Sequence, residues 1–163
     1  MRAAVVLLLV SQAAMAVDYL APGGSTTARV VAASPTSCES IVEISSGSVN
    51  LGRQSYVSDD HDNGSCVAHA SWTPDGKFFA FSLQNSGGHQ PWNSVITVFS
   101  IEKKRFIDID PGSQEAITDP AFTLSAPSRI DFEVTAIPLD GNRPLRRKID
   151  LKSLLFLDMP IGH

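Results

Sequence analysis

Cysteine is scarce in this chain, basic charge is in the minority, and no apolar run is long enough to cross a bilayer. Cys38 and Cys66 are the only cysteines, and they form no Cys-x-x-Cys pair, which argues against a redox dithiol motif. Lys and Arg number 13 against 17 Asp and Glu, a net charge of −4, so the basic stripe that nucleic acid requires is missing. The longest apolar run, Ala3 to Val10, falls well short of the roughly 20 residues of a transmembrane helix. No Gly-x-Ser-x-Gly elbow is found, and nothing in the sequence supports a carboxylate pair for glycoside chemistry. Past the first 16 residues, no segment keeps a 3.6-residue apolar period over the length of a helix, so the chain reads as mostly β.

What is present begins with an address. Met1 to Ala16 opens with one positive charge at Arg2, continues through the apolar run, and closes on Ala14-Met15-Ala16. Those parts in that order predict a secretory signal peptide cut after Ala16. No Cys follows the cut, so no lipid anchor is indicated. In an exported chain a Cys38–Cys66 disulfide is the expected state; it would stabilise the fold by about 3–4 kcal/mol on the loop-entropy estimate. Two free thiols, or a catalytic Cys, are the alternatives.

Residues 17–37, rich in Ala, Gly, Ser, Thr and Pro, read as an N-terminal arm or linker with a short strand at Ala28 to Ala33. Residues 38–163 read as a single β domain. Strands are expected at Cys38 to Ile44, Val49 to Val57 and Cys66 to Trp72, with a surface loop at Ser58 to Ser65. Pro74-Asp75-Gly76 then makes a turn: Pro presets φ, Asp bonds the local backbone and Gly accepts a positive φ. In the next strand Phe79, Phe81 and Leu83 share one face and Phe78 and Ala80 the other. Val95 to Ile101 repeats the pattern, with Ile96 and Val98 opposed to Val95, Thr97, Phe99 and Ile101. Strands apolar on both faces are covered on both faces. Arg105 to Asp110 suits a wetter outer strand, and Arg129 to Thr135 alternates strictly, with Ile130, Phe132 and Val134 on its apolar side.

The string Trp72-Thr73-Pro74-Asp75-Gly76-Lys77-Phe78-Phe79-Ala80-Phe81 resembles the repeat of TolB-type, WD40-like β-propellers of bacterial exported proteins. That repeat runs aromatic, Ser or Thr, Pro-Asp-Gly-Lys, apolar, Ala, aromatic. One clear unit spans Ala70 to Asp110, and a degenerate one after Asp119 echoes it with Ala121-Phe122-Thr123. The resemblance implies an all-β fold of antiparallel propeller-type blades, about three in a chain of this length. That is too few for a ring of typically 4–8 blades. A β-sandwich is the alternative architecture. The resemblance also implies a protein-binding role.

Site candidates are few. Asp59, Asp60 and Asp62 crowd oxygens into one loop, as hard cations require, but the Ca²⁺-loop pattern fails. Its third position is His61 and its twelfth is Ala70, so these acids are weak metal candidates in a solvated loop. His89 and Trp92 lie in a Gly-rich loop between two strands and are the candidate binding residues, since loops carry function and Trp favours contact hot spots. His69, on a strand beside Trp72, reads as structural. The basic group Arg143, Arg146, Arg147 and Lys148 reads as a solvated turn and edge strand. No catalytic residue and no cofactor is indicated. The expectation is therefore an exported binding or scaffolding domain, periplasmic or extracellular, with a protein partner or self-association. A small secreted hydrolase using the 84–94 loop and a module completing a partner's sheet are the competing readings.

Overall fold

The computed structural model describes residues 15–87, 94–137 and 143–156. Among these the chain is antiparallel β throughout, with no α-helix and one terminal 3-10 helix (Leu151–Phe156). β1 (Ala16–Leu20), β2 (Thr26–Ser34), β3 (Ser37–Ser46) and β4 (Val49–Ser55) form a meander. β5 (Ser65–Trp72), β6 (Phe78–Asn85), β7 (Val95–Ser100) and β8 (Arg105–Asp108) form a second. One residue pair, Glu39 opposite Cys66, joins the two into an eight-stranded sheet of order β1-β2-β3-β5-β6-β7-β8, with β4 off the path on β3. β9 (Glu115–Ala116), β10 (Phe122–Ser125), β11 (Arg129–Ala136) and β12 (Leu145–Asp150) make a separate four-stranded sheet. The sheets stack as a sandwich and do not close into a barrel.

Why they stack follows from β6 and β7, which carry large apolar side chains on both faces. Phe79, Phe81, Leu83 and Phe99 meet Ala28, Val42 and Ile44 of the first meander. Phe78, Ala80, Ile96 and Val98 meet Ile130, Phe132 and Val134 of the separate sheet, together with Leu151 and Leu154 of the 3-10 helix. Phe79, Phe81 and Phe99 are fully buried. Each contributes about 1.5–3 kcal/mol relative to exposure. The face assignment read from sequence for these strands, and for β11, is the one observed. Gly76 takes φ 68°, as its turn requires.

Residues 17–37 differ from the reading as arm or linker. They contribute β1 and β2, the second of which contains the short strand expected at Ala28 to Ala33, and the strands therefore start ahead of Cys38. Small side chains are what this position needs: Ala21 and Ala28 sit in the core between larger neighbours, and the Trp72 indole donates a 2.8 Å hydrogen bond to the Tyr19 carbonyl. Composition suggested a loose segment, but pairing with β3 overrides it. The exposed face of this first meander carries a row of alternating charge across all four strands. Asp18, Arg29, Glu43 and Arg53 stand opposite one another in register, with ion pairs of 3.5 Å (Asp18–Arg29) and 3.0 Å (Glu43–Arg53).

Candidate functional site

β3 has two successive partners on one edge. From Ile41 onward that edge is taken by β4, while Glu39 pairs with Cys66 of β5. The loop between β4 and β5 leaves the sheet at this fork, and the Glu39 side chain, wholly shielded from solvent, points into it. Its Oε1 accepts from the Gly64 amide (2.6 Å), the Ser58 hydroxyl (2.8 Å) and the Ser86 hydroxyl (2.9 Å). Its Oε2 accepts from the Ser58 amide at 3.0 Å, and His61 Nδ1 lies 3.6 Å away. Burial alone would raise the pKa of this carboxyl. The hydrogen bonds from Ser58, Gly64 and Ser86 outweigh burial and hold it below its ordinary value, so the group is ionised. At Gly64 the backbone passes so close that a β-carbon would collide with the Tyr56 carbonyl and the Glu39 carboxylate.

The acidic loop is built around a second carboxylate. Asp60 Oδ1 accepts from the Asp62 amide (3.1 Å), the Asn63 amide (3.2 Å) and the Ser58 hydroxyl (2.7 Å), and its Oδ2 from the Asn63 side chain. These bonds, the Asp62 amide foremost, hold its carboxyl well below the usual carboxylate range. The Ser58 hydroxyl has one proton between two carboxylates, so it serves Glu39 and Asp60 in alternation. Asp60 is thus occupied in shaping its own loop, while Asp59 and Asp62 are exposed. Among the described residues no group of three or more His, Cys, Asp or Glu is placed to hold a metal ion.

Ser86 connects this corner to the next loop. Its amide donates to the Gly64 carbonyl (3.0 Å), and its one hydroxyl proton is shared between that carbonyl (3.1 Å) and Glu39. The start of the 84–94 loop is therefore fixed to the 58–64 loop. His89 and Trp92 lie outside the described residues. The Cys38–Cys66 disulfide is formed and flanks the same fork, with Cα atoms 5.1 Å apart. Glu39 was missed in the sequence because a lone Glu on a strand reads as solvent-facing. The available clue was the disulfide, which sets residue 39 beside residue 66 and the loop before it.

The opposite end of the β5–β6 hairpin carries a different carboxylate. Asp75 accepts from the Thr73 hydroxyl (2.7 Å) and the Lys77 amide (3.2 Å) within its turn, and from the Ser128 hydroxyl (2.8 Å) of the separate sheet. Burial raises its pKa, but the hydroxyls of Thr73 and Ser128 pull it below the ordinary value. Beside this turn lies a cavity of about 420 Å³ between the β7–β8 turn and the 3-10 helix. His69 packs edge-on against Phe122, ring centres 4.5 Å apart. The basic group lies on edge strand β12 and just ahead of it, with Arg147 paired to Glu115 and Lys148 to Asp131.

No family model and no curated protein matches the chain. A solved structure from Clostridium novyi NT, provisionally described as a conserved lipoprotein, is similar to it at a TM-score of 0.50 and 8% identity. The likeness covers 84% of this chain and 86% of that one, and at this identity it speaks for the fold alone.

Proposed function

We propose that this chain is an exported, non-enzymatic binding domain that presents to a protein partner the corner where its 58–64 loop meets the start of its 84–94 loop. The observation that carries the reading is the Glu39 node. One buried carboxylate ties both loops to the same fork of the sheet, which is how a rigid scaffold sets a loop pair for recognition. The acids with shifted pKa values, Glu39, Asp60 and Asp75, have their oxygens taken up by amides and hydroxyls that shape loops, which supports binding over proton transfer. Asp59 and Asp62 on the rim favour a partner with a cationic contact patch. The disulfide is in keeping with an oxidising compartment, periplasmic or extracellular. Within this proposal β5–β8 are a propeller-type blade of the TolB kind, a reading that rests on Trp72 to Phe81.

The test compares partners cross-linked to the exported protein and to three variants. A discrete partner should be retained by Arg29→Ala, on the far face of the first meander, and lost from Trp92→Ala and from Asp59→Asn/Asp62→Asn. Retention by all three variants would remove the corner from the reading. Turnover of ester, peptide or glycoside substrates by the purified protein would remove the non-enzymatic part and favour the hydrolase. A second reading, pairing of edge strand β1 with a partner's sheet, is favoured by Val17 and Leu20, which are 52% and 63% exposed there. It predicts that Val17→Lys, not Trp92→Ala, releases the partner.

A further inference from the structure

The cavity beside the Asp75 turn is at the far end of β6 from the loop corner, roughly 20–25 Å along the strand at about 3.3 Å per residue. Its volume of about 420 Å³ falls among small-molecule sites, which run from roughly 300 to 1,000 Å³. Its floor is apolar: Phe78, buried in the core between the sheets, with Ile101 and Leu155 half-buried on either side. Its lining carries three lysines, Lys77, Lys103 and Lys152, and one acid, Glu102. Lys103 is engaged by Glu102 at 3.8 Å, whereas among the described residues neither Lys77 nor Lys152 is in an ion pair.

Both walls are held by hydrogen bonds that do not depend on an occupant. The Ile101 amide donates to the Lys77 carbonyl at 3.1 Å, and Ser100 accepts from the Lys103 amide (3.2 Å, side chain) and the Lys104 amide (2.8 Å, carbonyl). On the helix side the Leu151 amide donates to the Ser128 carbonyl at 2.9 Å, and the Ser153 hydroxyl to the Asp150 carbonyl at 2.6 Å. The cavity is therefore preformed, and little ordering is required when it fills. An apolar floor of this size left to water is unfavourable, and three lysines against one glutamate in the lining make a local excess of positive charge on a chain of net charge −4.

We propose that this cavity binds a small amphiphilic anion, with the apolar body on Phe78, Ile101 and Leu155 and the carboxylate between Lys77 and Lys152. The probe is octanoate, titrated calorimetrically into the oxidised protein at low salt, with 1-octanol as the neutral control of equal chain length. Saturable octanoate binding is expected, tighter than 1-octanol and weakening as salt is raised. Lys77→Gln should weaken it about two- to fivefold, in the range of a solvent-screened ion pair. Lys152→Glu should weaken it further while leaving octanol unchanged. Both lysines are exposed, so the variants should unfold at the wild-type temperature, which circular dichroism checks. Equal binding of octanoate and octanol, insensitivity to both lysine variants, or no saturable heat would each overturn the proposal. The corner reading stands or falls separately, because Trp92→Ala should leave octanoate binding intact.

Discussion

The two ends of the β5–β6 hairpin are each closed by a carboxylate, and they are closed in different ways. At the turn end, Asp75 takes two of its three hydrogen bonds from its immediate neighbours Thr73 and Lys77 and reaches out once, to Ser128. At the open end, Glu39 comes from another strand and gathers donors from Ser58, Gly64 and Ser86, which lie 19, 25 and 47 residues away. The first carboxylate shapes a turn that its own sequence already favours. The second holds together segments with no local reason to meet. An end built locally should fail locally, whereas an end built from distant segments should fail as a unit.

The sharpest way to break that contrast is Glu39→Ala. It leaves the Ser58 and Gly64 amides without their acceptor in a buried fork. Its fall in melting temperature, followed by circular dichroism, should exceed that of any other single change at either end. The loss should include protection of the 58–64 amides in hydrogen exchange, because both loops share the one anchor. Next in size is Cys38→Ser/Cys66→Ser, expected to cost about 3–4 kcal/mol in denaturant unfolding, since it frees the same fork without emptying it. Ser128→Ala, at the other end, should cost only about 1–2 kcal/mol, as one hydrogen bond to a charged group is lost while Thr73 and Lys77 keep the turn. If Ser128→Ala proved as damaging as Glu39→Ala, the distinction between the ends would collapse.

The smallest effect is a change of slope with pH. Glu39 has a folded pKa below its ordinary 4.5, so it binds a proton more readily in the unfolded chain. Its contribution is complete above that value and is lost as pH falls through the lower folded value. Stability should therefore decline below about pH 4.5, and Glu39→Gln should flatten the decline, leaving the part due to Asp60 and Asp75. A decline of unchanged steepness in Glu39→Gln would mean that the carboxylate is not ionised in its fork.

The same contrast explains how much of the molecule could be read in advance. The Pro74-Asp75-Gly76 turn, the two-faced β6 and β7 and the one-faced β11 were legible because turn chemistry and period-2 alternation are local. The Cys38–Cys66 bond was legible because only two cysteines exist. Of β2 only the stretch Ala28 to Ala33 was legible, and β1 was not, since five residues from Ala16 to Leu20 carry little alternation and their strand character comes from pairing with β2. β9, only two residues long, and the 3-10 helix were equally hidden: neither has a period long enough to register. Of the candidate sites, the acidic loop was placed at the surface correctly. Its anchor Glu39, the long-range Ser128 contact and the cavity under Leu155 all depend on which segments meet, which spacing along one chain does not encode.

The charged row on the first meander bears on where this architecture stops. A fold made by laying one two-faced sheet on the next has no built-in end, because each added sheet offers a fresh surface for another. Asp18, Arg29, Glu43 and Arg53 present a surface that is neutral in sum and strongly hydrated at every strand. A further sheet would have to strip water from four ions already satisfied by one another, with nothing apolar in that row to offset the cost. The row works as a terminus for stacking perpendicular to the sheet on that side of the first meander.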